Sequence, residues 1–188
     1  MGYSKAQKAK THDRIVKLAS KRFREEGLAG IGIAELMREA GLTVGGFYKH
    51  FDSRDHLVAE AVTSAFGGWK RRVEATKSSG LSYEKLIDDY LSETHRDNPG
   101  TGCAFSALAH EIARGDRRTR MLTSEQVRND IHLIATLYPA KDKRIARSRA
   151  ILTFSALVGA MSLARAVSDE ALSREILNTV ADLLRDSD

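Results

Sequence analysis

Apolar residues recur every three to four positions along most of the chain, which is the period of an amphipathic helix. No strand-like alternation is evident, and Pro99 and Pro139 are the only prolines. The pattern therefore predicts an all-α fold. Breaks rich in Gly, Pro, Asn or Ser divide it into predicted helices at about 11–26, 33–40, 44–51, 53–77, 82–96, 103–114, 119–137, 142–166 and 169–185.

The first three predicted helices are short and closely spaced. Gly27 ends the first, and Gly41 ends the second only a few residues before the third begins at Val44. Two short helices joined by a turn of about 3–4 residues that contains glycine are typical of a helix-turn-helix. Thr43 stands where its hydroxyl can cap the third helix.

The third predicted helix separates into two faces. Phe47 and Phe51 are four residues apart and can bury together against the first two helices. The opposite face carries Val44, Gly45, Tyr48 and Lys49. Two glycines within a helix cost about 1 kcal/mol each relative to alanine, so they suggest that the backbone approaches another surface closely.

Positive charge is concentrated in the same part of the chain. Residues 1–54 contain 11 Lys and Arg against 6 Asp and Glu, whereas the remainder has 19 of each. A basic module on a neutral body suggests a polyanion partner. Lys5, Lys8 and Lys10 can be read either as a flexible basic arm or as a disordered tail that makes diffuse contacts.

Residues 41–57, GLTVGGFYKHFDSRDHL, resemble the signature of the TetR/AcrR family of transcriptional regulators. Upstream, Thr11, Arg14, Ile15, Ala19, Phe23 and Gly27 fall where that family's first helix has them. Two positions depart from the family pattern: Ile31-Gly32 replaces a capping Ser or Thr, and Met37 replaces a small residue.

The resemblance implies a helix-turn-helix DNA-binding domain at 1–54 and a helical effector-binding and dimerisation domain at 55–188. It implies phosphate contacts by Thr43, Tyr48, His50 and Arg54, with Val44, Gly45 and Tyr48 facing base edges and Lys49 beside them. The implied function is a ligand-responsive regulator, a repressor that a small, largely apolar effector releases from a palindromic operator.

The last two predicted helices suggest self-association. Residues 151–164 are apolar around most of the helix, and small residues such as Gly159 would let another backbone approach. The resemblance implies a homodimer through these two helices. The alternative is a core formed within one chain.

The resemblance also implies an effector pocket in the body. Its candidate lining is Phe66, Trp69, Tyr90, Cys103, Phe105, Leu108 and Met121, although each could be plain core. Cys103, the single cysteine, has two readings. At a helix start its thiol pKa would be lowered, whereas as a buried apolar side chain it would be inert.

Catalytic and metal-binding patterns are absent from the sequence, so we expect no enzyme activity, no metal site and no cofactor. The N-terminal residues lack the apolar run of a signal peptide, and 151–164 is shorter than the about 20 residues that span a bilayer. A cytoplasmic protein is expected. Two other functions stay open: an architectural DNA-binding module without an effector, and a small helical enzyme whose basic head is incidental.

Overall fold

The computed structural model describes residues 5–77 and 80–186, and for residues 68–77 it describes the backbone alone. These residues contain no β-strand, which confirms the all-α prediction. Two short 3-10 helices occupy Val44–Lys49 and Pro99–Thr101. The α-helices are α1 Lys5–Glu26, α2 Ile33–Glu39, α3 Arg54–Lys77, α4 Tyr83–Tyr90, α5 Glu93–Asp97, α6 Ala104–Ala113, α7 Arg117–Leu137, α8 Lys143–Ala166 and α9 Glu170–Arg185.

Most helix boundaries follow from local capping. Six side chains accept hydrogen bonds from backbone N–H groups in the first turn of a helix: Ser53, Ser82, Ser92, Asp116, Asp142 and Asp169. Gly27 closes α1 at φ +82°, a conformation that costs glycine little.

Besides the 44–49 helix, two predicted helices differ clearly from the structure. α1 begins at Lys5, so the N-terminal lysines lie on its first turns and neither the flexible arm nor the disordered tail is correct for residues 5–10. The predicted helix 82–96 is two helices, because α4 ends at Tyr90 and the Ser92 hydroxyl starts α5 by accepting from the N–H of His95 at 3.2 Å.

The N-terminal elements α1, α2 and the 44–49 helix, here called the head, share a core with the start of α3. That core includes Ile15, Ala19, Phe23, Ile31, Leu36, Met37, Phe47, Phe51 and Leu57. α3 continues into the body, where its buried residues pack in the same hydrophobic cluster as α4, α6, α7, α8 and α9. The head is therefore held on the body by a helix that belongs to both.

The helices α8 and α9 expose apolar side chains in the single chain. Those at least 40 % exposed are Ile145, Ile151, Leu152, Leu163, Leu172 and Leu183. Among the described residues, α8 is also the one helix whose length and composition would suit a membrane span, a test that core helices of soluble proteins pass as well. Exposed apolar surface of this kind is typical of interaction surfaces.

Candidate nucleic-acid interface

The 44–49 helix exposes one face and buries the other, as the sequence predicts. Phe47 and Phe51 are fully buried with ring centroids 5.3 Å apart. Val44 is 50 % exposed and Tyr48 is 72 % exposed, although both are large side chains. Because Tyr48 packs edge-on against Phe47 at 5.3 Å, its ring is held outward by the core beneath it.

Beside this exposed face lies an open cleft of about 610 Å³ between α1 and the 44–49 helix. Its lining is Lys8, Thr11, Gly41, Leu42, Thr43, Gly46, Tyr48, Lys49 and His50. Two lysines and two hydroxyl-bearing threonines give it the donors and charge that a sugar–phosphate backbone requires. Lys8 and Thr11 enter the site from α1, and the motif of residues 41–57 gave no signal for them.

The Thr43 cap prediction is wrong. Thr43 occupies the N-cap position of the 44–49 helix, but its side chain makes no capping hydrogen bond. The segment is also a 3-10 helix that ends at Lys49, not an α-helix that runs to Phe51. The Thr43 hydroxyl therefore belongs to the cleft wall and not to the helix terminus.

The two glycines of the 44–49 helix have different surroundings. A Cβ at Gly46 would lie 3.6 Å from Cε of Met37, an ordinary contact that shows how the large Met37 is accommodated. A Cβ at Gly45 would meet nothing within 4 Å. Packing within the chain therefore gives no reason for glycine at position 45, and a close approach by another molecule would give one.

A polar cluster supports the end of the 44–49 helix from behind. The two carboxylate oxygens of Glu60 lie 2.7 Å from Nε2 of His12 and 2.9 Å from Nε2 of His56, so α1 and α3 are joined. His12 stacks on Phe51 at 4.6 Å and lies 6.0 Å from the ring of His50. No sequence pattern links His12 to Glu60, which is 48 residues away.

His50 lies at the edge of this cluster. Burial is the main cause that lowers its pKa, and the nearby His12, Lys8 and Lys49 lower it further. Its Nδ1 is buried and has no hydrogen-bond partner among the described residues. A neutral His50 is therefore suited to a hydrogen bond and not to a charge interaction.

Arg54 does not line this cleft. Its guanidinium donates a hydrogen bond to the carbonyl oxygen of Leu28 and lies 5.8 Å from the ring centroid of Phe23. Arg54 thus connects the start of α3 to Leu28 and to Phe23 of α1, and its phosphate contact, implied by the resemblance, stays a prediction.

Most candidate pocket residues are buried in the body. Phe66 stacks on Phe105 at 5.0 Å, and Tyr90 and Leu108 are 1 % exposed. Met121 is 62 % exposed, so its assignment to an interior pocket is wrong. The side chain of Trp69 lies outside the described residues.

Cys103 is 6 % exposed and forms the N-cap of α6. Burial raises the pKa of its thiol, which contradicts the reading in which the helix terminus activates it. Its N–H donates to Nε2 of His95 at 2.9 Å, so its backbone is fixed as well. The structure therefore supports the interpretation as an inert, buried side chain.

Asp130 is a buried carboxylate that the sequence analysis missed. It is 5 % exposed, accepts a hydrogen bond from Gln126 at 2.8 Å, and has a pKa raised by burial to about 6. Its spacing from Val127, Ile131 and Ile134 places it on the apolar face of α7, a signal that could have revealed it. No group of three or more potential metal-ligating side chains occurs in the part of the chain that the structure describes.

Comparison with known proteins agrees with this geometry. Residues 15–61 match the family described as bacterial regulatory proteins, tetR family. An HTH-type transcriptional regulator from Staphylococcus aureus, SAB2452, is 24 % identical over 182 residues, which cover 93 % of this chain and 95 % of that protein.

Solved structures share the fold along nearly the whole chain. A TetR transcriptional regulator from Chloroflexus aurantiacus has a TM-score of 0.78 at 22 % identity and covers 96 % of this chain and 97 % of its own. The regulator FadR from Bacillus subtilis, solved in complex with stearoyl-CoA, has a TM-score of 0.67 at 13 % identity, with coverages of 94 % and 98 %. The head thus matches the tetR family at residues 15–61, and along nearly its whole length the chain is similar to a transcriptional regulator and shares the fold of TetR-family structures.

Proposed function

We propose that this regulator is a ligand-responsive repressor that binds a palindromic operator as a homodimer and is released by a small, largely apolar effector. It acts in the cytoplasm and by binding, not catalysis. Residues 1–54 bind DNA and residues 55–188 bind the effector and the second subunit. The observation that carries the proposal is the pair of exposed side chains, Val44 and Tyr48, beside a cationic cleft.

The head supplies two kinds of DNA contact in this proposal. Val44, Gly45 and Tyr48 face base edges in the major groove, where a bare Gly45 permits close approach. Thr43, Lys49 and His50 contact phosphates, with His50 as a neutral donor. Arg54 ties Leu28 to the start of α3 and is the further phosphate contact in this proposal.

The exposed apolar face of α8 and α9 supports the homodimer. Ile151, Leu152 and Leu163 extend along α8, and a Cβ at Gly159 would meet nothing within 4 Å of its own chain. A second copy would cover this face through a two-fold axis, which also places two heads on a palindrome.

The effector proposal rests on the interior of the body. Phe66, Tyr90, Phe105 and Leu108 provide aromatic and aliphatic surface there. The related fold of FadR from Bacillus subtilis was solved with stearoyl-CoA, a ligand that carries a long apolar chain. We therefore propose an effector with a substantial apolar part.

Salt-dependent binding to a duplex tests the DNA proposal. An operator is first selected from random duplexes by the wild-type protein, and its affinity is then measured between 50 and about 200 mM salt, a range over which several phosphate contacts give a steep decline. Lys49→Ala should reduce the slope of log K against log salt by about one for each head. Tyr48→Ala should weaken binding and relax sequence preference.

Lys85→Ala is the matched control, since Lys85 is an exposed lysine on α4 that pairs with Asp89 at 2.9 Å. It should bind the operator like the wild type. Binding that does not depend on salt, or full operator affinity in the Tyr48→Ala protein, would refute the assignment of the head.

A further inference from the structure

The segment from Glu93 to Gly102, here called the strap, comprises α5 and the 99–101 helix and lies between the head and the helices α8 and α9. It contacts α1 at one end and α8 at the other. Two arginines from these helices hold its backbone: Arg165 from α8 and Arg24 from α1. The strap is therefore a non-covalent connection between the head and the body, separate from α3.

Arg165 holds the body end of the strap through its whole guanidinium. It donates to the carbonyl oxygens of His95 at 2.5 Å and Arg96 at 2.9 Å, and to the hydroxyl of Ser106 at 2.9 Å. Arg96 in turn donates to the hydroxyl of Ser173 on α9 at 3.1 Å. The planar guanidinium of Arg165 holds several N–H donors in fixed directions, and a lysine ammonium could not make the same three hydrogen bonds.

Arg24 holds the head end of the strap. Its Nε donates to the carbonyl oxygen of Gly100 at 3.1 Å, and a second guanidinium nitrogen donates to the same oxygen. A Cβ at Gly100 would overlap the side chain of Glu25, the next residue on α1. The backbone of the strap therefore approaches α1 as closely as glycine allows.

Hydrogen bonds of the His95 side chain lie between the two ends of the strap. Nδ1 of His95 lies 2.6 Å from the carbonyl oxygen of Tyr90, and Nε2 accepts from the N–H of Cys103. His95 is consequently neutral, with its proton on Nδ1. A Cβ at Gly102 would lie 2.7 Å from the His95 ring and 3.1 Å from Arg165. The backbone at Gly102 therefore packs directly against both side chains.

These contacts fix the head at two places that are distant along the chain. α3 holds it covalently, and the strap holds α1, which also contacts α6 of the body; there the N–H of Leu28 donates to Glu111 at 2.8 Å. A head held by α3 alone could turn about that helix. A head also held through Arg24 has a set orientation relative to α8 and α9.

We propose that the strap sets the separation of operator half-sites that the dimer accepts, and that Arg24 and Arg165 are positioning residues for this specificity. The inference rests on the proposed function, in which a dimer formed by α8 and α9 places two heads on one duplex. The orientation of each head relative to those helices then determines the distance between the two 44–49 helices.

The test compares duplexes that differ only in half-site spacing. The wild-type protein, Arg24→Lys and Arg165→Lys are measured on the selected operator, on versions with one base pair added or removed at its centre, and on a duplex with a single half-site. Lysine keeps the positive charge but lacks the planar guanidinium and its fixed set of donors. Lys21→Ala is the control on α1, because Lys21 is exposed and its ammonium pairs only within that helix, with Glu25 at 3.7 Å.

Both strap variants should lose spacing preference, measured as the affinity ratio of the selected operator to its altered versions, by about three- to tenfold, the range expected for the net contribution of one typical intramolecular hydrogen bond. Affinity for the single half-site should stay within about twofold of wild type by the same scale. Lys21→Ala should keep the wild-type ratio. Thermal unfolding verifies that each variant is folded, and Arg24→Lys is the milder change, since Arg24 donates to one strap oxygen whereas Arg165 donates to three acceptors.

An unchanged ratio in Arg24→Lys would overturn the inference, as would an equal loss of affinity on every duplex. A wild-type protein that is monomeric or indifferent to spacing would refute the proposed dimer on a palindrome, which is a different failure. Loss of spacing preference with intact half-site binding supports the strap role, since a merely destabilised protein would weaken on all duplexes alike.

Discussion

Asp130→Asn should stabilise the protein at neutral pH and leave it nearly unchanged in mild acid. The carboxylate is 5 % exposed, and burial raises its pKa from 3.8 to about 6. Its hydrogen bond comes from Gln126, and the oxygen of an asparagine can accept that bond equally well. The substitution therefore removes the buried charge with little change of shape.

The sign and size follow from proton linkage. Between pH 3.8 and about 6 the folded state holds the Asp130 proton and the unfolded state releases it, so stability is lost as the pH rises through this window. A shift of about two units at 1.36 kcal/mol per unit corresponds to about 3 kcal/mol. Asp130→Asn should avoid this loss. Its free energy of unfolding should therefore exceed that of wild type by less than about 1 kcal/mol at pH 4 and by about 3 kcal/mol near pH 7.5.

Denaturant unfolding at fixed protein concentration, from pH 4 to 8, measures this difference. Asp89→Asn is the matched control, because Asp89 is an exposed carboxylate on α4 whose pairing with Lys85 contributes about 0–1 kcal/mol at most. A pH-independent difference between Asp130→Asn and wild type would refute the reasoning, since only a titrating buried carboxylate produces the slope.

Two further predictions concern the body. Gly159→Leu should leave the single chain folded, because a Cβ there meets nothing within 4 Å, but it should dissociate the dimer in sedimentation and reduce operator binding; an intact dimer would contradict the proposed interface. Cys103→Ser and wild type should keep the same operator affinity before and after mild treatment with an electrophile, because the buried thiol has a raised pKa. A response in the wild type alone would show that Cys103 is reactive.

The head was predictable because its signals are local. Phe47 and Phe51 are one helical turn apart, and Gly27 and Gly41 take the positive φ that ends a helix, so pattern and chemistry agree within a few residues. The exposure of Val44 and Tyr48 follows from the same spacing. These features need no knowledge of which distant helix packs against which.

Features that depend on distant contacts could not be predicted in this way. The contacts of Arg54 with the ring of Phe23 and the carbonyl of Leu28, about 30 residues earlier, have no signal in the local sequence. Met121 fits an apolar stripe in sequence, yet it is 62 % exposed in the folded chain. Burial of a single apolar residue on a long helix depends on tertiary packing, which its spacing alone does not specify.

Cys103 shows how magnitudes decide between two effects that the sequence leaves balanced. A helix terminus favours a negative charge by about 0.3–1 kcal/mol when exposed, and by up to about 2 kcal/mol when partly buried. Removing an ion from water costs several kcal/mol even after relaxation. At 6 % exposure the second effect is larger, so the pKa of the Cys103 thiol rises although the residue caps α6. The same penalty raises the pKa of Asp130 and lowers that of Arg165, whose charge is held by three oxygen acceptors. Depth of burial, which only the folded chain fixes, thus shifts the pKa of each of these groups in the direction that favours its neutral form.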